Sequence, residues 1–166
     1  QRQAFCGCGD RVLMYLSPLQ PQDLPVIQKW LSDGPLFRAV VVEHPCLERP
    51  IYTLIIRLND GTPVGWIDFF NVDQQNRKAE AGIAIPERRG RGLSYRAGRR
   101  ALRFAFQVLR LNRVVLRIPE KNTASIRLAE KLGFTREGVE REAVVRDGEP
   151  EDIIVYAMLK RDLEGT

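Results

Sequence analysis

The residues best suited to chemistry lie between positions 83 and 98, in the run IAIPERRGRGLSYRAG. A strand-like stretch ends at Pro86, a loop carries Gly90 and Gly92, and a helical pattern follows. Without a Cβ, glycine lets the backbone turn sharply and approach an anion closely. The first N–H groups of a helix lack intrahelical partners and, with the helix dipole, attract negative charge. Arg89, Arg91 and Arg96 add positive charge nearby. The chemistry this suits is the holding of a phosphate or pyrophosphate. The run is not a dinucleotide fingerprint, because the third glycine position is Tyr95, and it is not a Walker loop, because no Gly-Lys-Ser/Thr follows. On its own the loop also reads as a solvated basic turn.

A second segment narrows the reading: Asn122-Thr123-Ala124-Ser125-Ile126, followed by Lys131-Leu132-Gly133-Phe134. Arg89-Gly90-Arg91-Gly92-Leu93-Ser94 resembles the R/Q-x-x-G-x-G/A motif of the GNAT N-acetyltransferases, with Ser94 where Gly or Ala is usual. The N-x-x-S-I…K-L-G-F segment is similar to the family's helix along the pantetheine arm. The opening YLSPLQPQDLPVIQKWLSD is similar to its first strand and helix. The resemblance covers about residues 12–160 and is nearest the branch of ribosomal-protein N-terminal and polyamine acetyltransferases. It implies acetyl-CoA as co-substrate, lying in a gap between strands at 78–85 and 113–118. Contacts are implied at the backbone of Ile83 and Ile85, at Arg89, Gly90, Arg91, Gly92, Leu93 and Ser94, and at Asn122.

Acetyl transfer needs a neutral amine, and an alkyl ammonium has a pKa near 10, so a base or water relay helps. The resemblance implies Glu80 as base; its bland alternative is a hairpin salt bridge with Arg or Lys. His44, the sole histidine, is a second candidate, Asp68, Glu140 and Glu142 are lesser ones, and transfer without a dedicated base stays open. Many relatives use a helix tyrosine to protonate the leaving thiolate, but residues 126–129 are Ile-Arg-Leu-Ala. Ser125 then takes that role, as in the ribosomal-protein branch. Asn122 and Ser125 also suit the start of a helix, where such side chains bond backbone.

The elements that must position these groups follow from hydrophobic spacing. Residues 12–16 read as a strand and 22–32 as a helix stopped by Gly34-Pro35, with a further short helix around 36–41. Residues 51–58 and 64–72 form a hairpin around Asn59-Asp60-Gly61-Thr62-Pro63, and 78–85 a further strand. A helix over 94–109 puts Ala97, Ala101, Leu102, Ala105 and Phe106 on one side and Arg96, Arg99, Arg100 and Arg103 on the other. A strand at 113–118, a helix at 124–132 and a hairpin of 139–145 with 151–159 complete the chain. The expected fold is a mixed, mostly antiparallel α/β sheet of six to seven strands, with helices on both faces and a splayed pair. All 166 residues are read as one acetyltransferase domain.

Composition bounds the rest. The chain is 44% hydrophobic and 28% charged, with a net charge of +5, so an anionic partner is expected. Aromatic residues are only 8% and the arginines gather at 88–103, which argues against nucleic acid as the principal partner. No run of about 18 apolar residues exists, so no membrane span is expected, and the start does not read as a signal peptide. Cys6, Cys8 and Cys46 are an odd count, suited to reduced thiols in a cytoplasmic protein. Cys6 and Cys8 are too close for the usual zinc spacing, so no metal is expected even with His44 between them and Cys46. The acceptor is a peptide N-terminus, a polyamine or an aminoglycoside-like amine; the missing tyrosine favours the first. The acids at 140, 142, 147, 149, 151 and 152 would edge the acceptor cleft or simply be solvated. A homodimer, and a non-catalytic acyl-CoA-binding or protein-interaction domain of the same fold, stay open.

Overall fold

A computed structural model describes residues 13–32, 52–87 and 92–164. The expected helix at 36–41 lies outside them, as do His44 and the three cysteines. Among the described residues the chain runs β1 (Met14–Pro18), a 3-10 turn (Pro21–Asp23), α1 (Leu24–Ser32), β2 (Tyr52–Leu58), β3 (Pro63–Asp73), β4 (Lys78–Ala84), α2 (Leu93–Gln107), β5 (Arg113–Pro119), α3 (Thr123–Leu132), β6 (Thr135–Arg146), β7 (Glu149–Leu159) and α4 (Lys160–Glu164). The strands form one seven-stranded sheet in the order β1-β2-β3-β4-β5-β7-β6. Every neighbouring pair is antiparallel except β4 with β5.

Each face of the sheet has its own core. On one, α2 buries Leu93, Ala97, Ala101, Leu102, Ala105 and Phe106. Its alanines at four-residue spacing let the helix axis come close to the strands, and Phe104 meets Phe69 with ring centroids 6.4 Å apart. Helix α3 packs beside α2 on that face: a Cβ at Gly98 would lie 2.8 Å from Leu132 Cδ1. On the opposite face, Trp30 of α1 stacks on Trp66 at 5.7 Å over Ile55 and Ala84. A side chain of this kind contributes about 1.5–3 kcal/mol when fully buried, so the two tryptophans anchor α1 despite its short length.

Pro25 explains the entry to α1. It has no N–H, so the first turn cannot close in α-helical fashion, and a 3-10 turn stands where the spacing predicts helix from 22. Asp23 pins this turn to the sheet. Its buried carboxylate accepts from Arg57 Nη2 at 2.6 and 2.7 Å and from the Gln20 N–H at 3.0 Å.

Two further differences have local causes. Strand β6 begins at Thr135 rather than 139, because α3 ends in a tight cap. Gly133 (φ 92°) turns left-handed, its N–H donates to Glu130 O, the Phe134 N–H donates to Ala129 O, and Phe134 is buried. This geometry ends a helix within two residues, so the strand starts at once. The β6–β7 turn is the two-residue pair Asp147-Gly148, both at positive φ, rather than a five-residue loop. That is the tight hairpin turn whose twist matches the strands.

Candidate functional site

The parallel pairing of β4 and β5 covers Lys78↔Arg113, Ala79↔Val114 and Glu80↔Val115, and stops. Beyond it β4 stays on β3 as far as Ala84↔Trp66, and β5 stays on β7 as far as Pro119↔Ile153. Each strand is held by its outer neighbour while the two part. The gap between them has strand-edge backbone on both walls, and such groups need partners. An extended, amide-bearing chain lying in the gap would supply them. Ile83 lies on its wall, and Ile85 follows directly after the strand.

Gly65 is a cause of this divergence that the sequence reading passed over. A Cβ there would lie 2.2 Å from Ala84 O and 2.9 Å from Ile85 Cα. The end of β4 therefore leans onto β3 through a contact only glycine allows. A glycine inside a β-branched strand is itself a signal of close backbone approach. The chain leaving β4 is then fastened: the Glu87 N–H donates to Val64 O at 3.4 Å, and Trp30 Nε1 donates to Glu87 Oε1 at 3.2 Å.

Helix α2 is the next described element in the chain after β4. Gly92 is its N-cap residue in the left-handed conformation (φ 67°, ψ 17°), and the Arg96 N–H donates to Gly92 O at 3.2 Å. Among the described residues no side chain caps this terminus, and its first turn holds no acidic residue. The leading N–H groups, at Leu93, Ser94 and Tyr95, thus have no intrahelical acceptors, and an anion fits there. Leu93 is buried at 2% exposure, so only its backbone is available to a ligand; Ser94 is half-buried. Arg89, Gly90 and Arg91 lie outside the described residues.

Across the gap, β5 leads into α3. Asn122 caps this helix: its Oδ1 accepts from the Ser125 N–H at 3.2 Å. The bland alternative for Asn122 therefore holds, and its Nδ2 is left over for a ligand. Ser125 engages through its backbone rather than its hydroxyl, and the residue is half-buried in the first turn. The turn before α3 is held by the β6–β7 hairpin. The Glu120 N–H donates to Asp152 O at 3.0 Å and the Lys121 N–H to Glu151 Oε1 at 2.9 Å. Glu151 is buried at 2% exposure, and its Oε2 lies 3.2 Å from Arg146 Nε. From sequence it is one of a row of acids that either edges an acceptor cleft or is solvated; in the structure it is buried and holds the turn before Asn122.

Other members of that acidic row are also engaged. Glu140 pairs with Arg117, and Asp152 Oδ1 accepts from the Glu142 N–H at 2.7 Å. The hairpin is thus a braced element more than an open acidic patch.

Glu80 sits at the last paired position before the gap, and its Oε1 accepts from Asn71 Nδ2 at 3.0 Å. The partner is an amide in a β-bulge, with Asn71 at φ 49°, and not the Arg or Lys of a hairpin salt bridge. Strand alternation puts Glu80 on the same face as Ala84, the α1 face. Asp68 shares that face: it accepts from Thr53 Oγ1 at 2.6 Å and Trp66 Nε1 at 2.9 Å. Ser125 is carried by α3 on the other face. The two catalytic candidates thus flank the gap from opposite sides.

A tyrosine does lie beside α3, from β7 rather than from the helix. Tyr156 is buried, and its hydroxyl donates to Glu130 Oε1 at 3.1 Å. Burial, reinforced by Glu130, raises its pKa above the ordinary tyrosine value. Its one hydroxyl proton is committed to Glu130 within the packing, on β7 rather than on the helix where relatives carry their tyrosine.

Comparison with known proteins agrees with this geometry. The family described as acetyltransferase (GNAT) domain matches residues 13–135. A Bacillus subtilis protein provisionally named a ribosomal N-acetyltransferase (YdaF) is 39% identical over 109 residues, 65% of this chain and 60% of that relative. The match thus spans less than two thirds of the relative's length. The N-acetyltransferase YoaA of Bacillus subtilis, uncharacterized, is 35% identical over 93% of this chain and 84% of its own length. The crystal structure of Vibrio cholerae spermidine N-acetyltransferase in complex with CoA and spermine superposes with a TM-score of 0.84 at 21% identity, covering 91% of this chain and 98% of that one. With the strand gap, the open helix terminus and a family match over most of its length, the chain belongs to the GNAT acetyltransferase family.

Proposed function

We propose that the protein transfers the acetyl group of acetyl-CoA to a primary amine, and that the amine is the N-terminus of a protein. The observation that carries the acetyl-CoA reading is the early end of the β4–β5 pairing, together with an α2 start, next in the chain after β4, that carries no side-chain cap hydrogen bond among the described residues. The gap takes the pantetheine amides on strand-edge backbone near Ile83 and Ile85. The N–H groups at Gly92, Leu93 and Ser94, with Arg89 and Arg91, take the pyrophosphate. A backbone N–H on the gap wall polarises the thioester carbonyl, the logic of an oxyanion hole.

Glu80 and Ser125 work from the two sides. Glu80, on the α1 face with Asp68, receives the proton of the incoming ammonium directly or through a water. Ser125 faces the departing sulfur and protonates the thiolate, whose thiol pKa is near 8.5. Glu80→Gln is expected to lower kcat by about 100-fold, the lower end of the usual range for acid–base groups, and Ser125→Ala by about tenfold with KM for acetyl-CoA little changed, below that range because a thiolate is already a fair leaving group. Asn122→Ala is expected to act twofold: about 1 kcal/mol of stability is lost with the helix cap, seen in denaturant unfolding, and acetyl-CoA binds more weakly.

Two features favour a protein N-terminus as the acceptor. The YdaF name points to ribosomal protein, and the absent helix tyrosine agrees. A second reading, a polyamine, has its own support: an Escherichia coli protein named spermidine N(1)-acetyltransferase is 36% identical over 80 residues. No helix of the described residues is long and apolar enough to span a membrane, and a cytoplasmic site of action follows from the proposed donor. The test is a competition in one reaction between peptides with free N-termini and spermidine, read by mass spectrometry. Acetylated peptide as the dominant product supports the proposal. Acetylspermidine as the dominant product transfers it to the polyamine.

A further inference from the structure

The outer face of α2 carries Arg96, Arg99, Arg100 and Arg103. These lie three and four residues apart, so their charges face one another along the helix and repel. Among the described residues none of the four is paired with a carboxylate. With Leu13, Met14 and Tyr95 they line a pocket of about 230 Å³. Arg100 is fixed there by donating through Nη1 to Met14 O. Arg96 Nη2 is buried and has no hydrogen-bond partner among the described residues. A buried cationic donor left unpaired is costly, and the cost disappears if an anion sits against it. Tyr95, which closes one side, already holds the Lys131 ammonium at 5.1 Å from its ring centroid, so a further positive charge stands at the rim.

We propose that this pocket binds a phosphate monoester. Guanidinium groups recognise phosphate oxygens through paired, charge-assisted hydrogen bonds, and the volume suits one phosphate with a small attached group rather than a polymer. Two sources share this chemistry. One is the 3′-phosphate of CoA itself, since Arg96 is one helical turn from Gly92; this source rests on the acetyl-CoA reading above. The other is a free phosphorylated metabolite, which does not.

Calorimetry without any amine separates them. CoA, 3′-dephospho-CoA and inorganic phosphate are titrated at matched ionic strength into the wild type and into Arg99→Gln/Arg103→Gln. Phosphate is also titrated into CoA-saturated protein. The variant relieves like-charge pairs, so its Tm should not fall. If CoA supplies the phosphate, the wild type binds CoA about tenfold more tightly than 3′-dephospho-CoA, the variant binds both alike, and CoA suppresses phosphate binding. If a free ligand supplies it, the two CoA forms bind alike and phosphate still binds the CoA-saturated wild type but not the variant. The proposal is overturned if the wild type neither distinguishes the CoA forms nor binds phosphate, or if either behaviour survives in the variant. The free-phosphate arm reads the pocket even if CoA does not bind at all.

Discussion

Gly92→Glu is expected to weaken acetyl-CoA binding by about 100-fold or more while the protein stays folded. Among the described residues no atom beyond the adjoining ones in the chain lies within 4 Å of where a Cβ at Gly92 would stand, so a Cβ meets no clash there. The cost to the fold is the left-handed backbone, φ 67°, which disfavours a side chain by about 1–2 kcal/mol. A carboxylate at a helix start partly offsets this, because it is drawn to the N-terminal dipole. That same attraction is the harm to function. The carboxylate occupies the uncapped N–H groups and repels the pyrophosphate; two unit charges 4 Å apart interact by about 4 kcal/mol at an effective dielectric of 20. Gly92→Ala separates strain from charge and should cost less than tenfold in affinity. Calorimetry beside thermal unfolding reads both quantities. Unchanged affinity in a folded Gly92→Glu protein would remove the pyrophosphate from this terminus.

Gly65→Ala is expected to lose about 3 kcal/mol of stability, the upper end of ordinary overpacking, and to weaken acetyl-CoA binding as well. The added methyl would stand 2.2 Å from Ala84 O, and a backbone carbonyl paired in a sheet cannot swing away as a side chain does. Either β3 or the end of β4 must shift, and the end of β4 is one wall of the gap. For a domain of this size about 3 kcal/mol corresponds to a Tm lower by roughly 6–12 °C. Gly82→Ala is the control for stability. A Cβ at Gly82 meets only Phe70 Cε1 at 3.9 Å, so Tm should hold. Equal stability for wild type and Gly65→Ala would show that the close contact is dispensable.

Much of this fold is legible from spacing alone. The alanine stripe of α2 needs one apolar face, and the β-branched runs of β2, β3 and β5 need strands, so these elements fall within two residues of their expected bounds. The G-F of the second motif is read as a family signature, yet its physical content is a left-handed helix stop with Phe134 as the buried anchor. Less legible is anything set by which strands become neighbours. That β4 and β5 pair for three residues and then part is a tertiary fact; spacing shows two strands, and only the resemblance implied a gap between them. The charges were hardest. Glu151 sits in an acidic run that reads as solvated, and only the fold turns it inward against the Lys121 N–H. Glu80 invited a salt bridge, but the bulge at Asn71 brings an amide instead.

The open start of α2 and the β4–β5 gap together hold acetyl-CoA for attack by an amine. The most direct measurement is mass-spectrometric detection of free CoA and acetylated product from one mixture of acetyl-CoA, N-terminal peptides and polyamines, with wild type and Gly92→Glu run side by side. The expected result is an acetylated amine matched in amount by free CoA with the wild type, and near-background formation of both with Gly92→Glu. Binding of CoA by the wild type with no acetylated amine from any member of the mixture would contradict it.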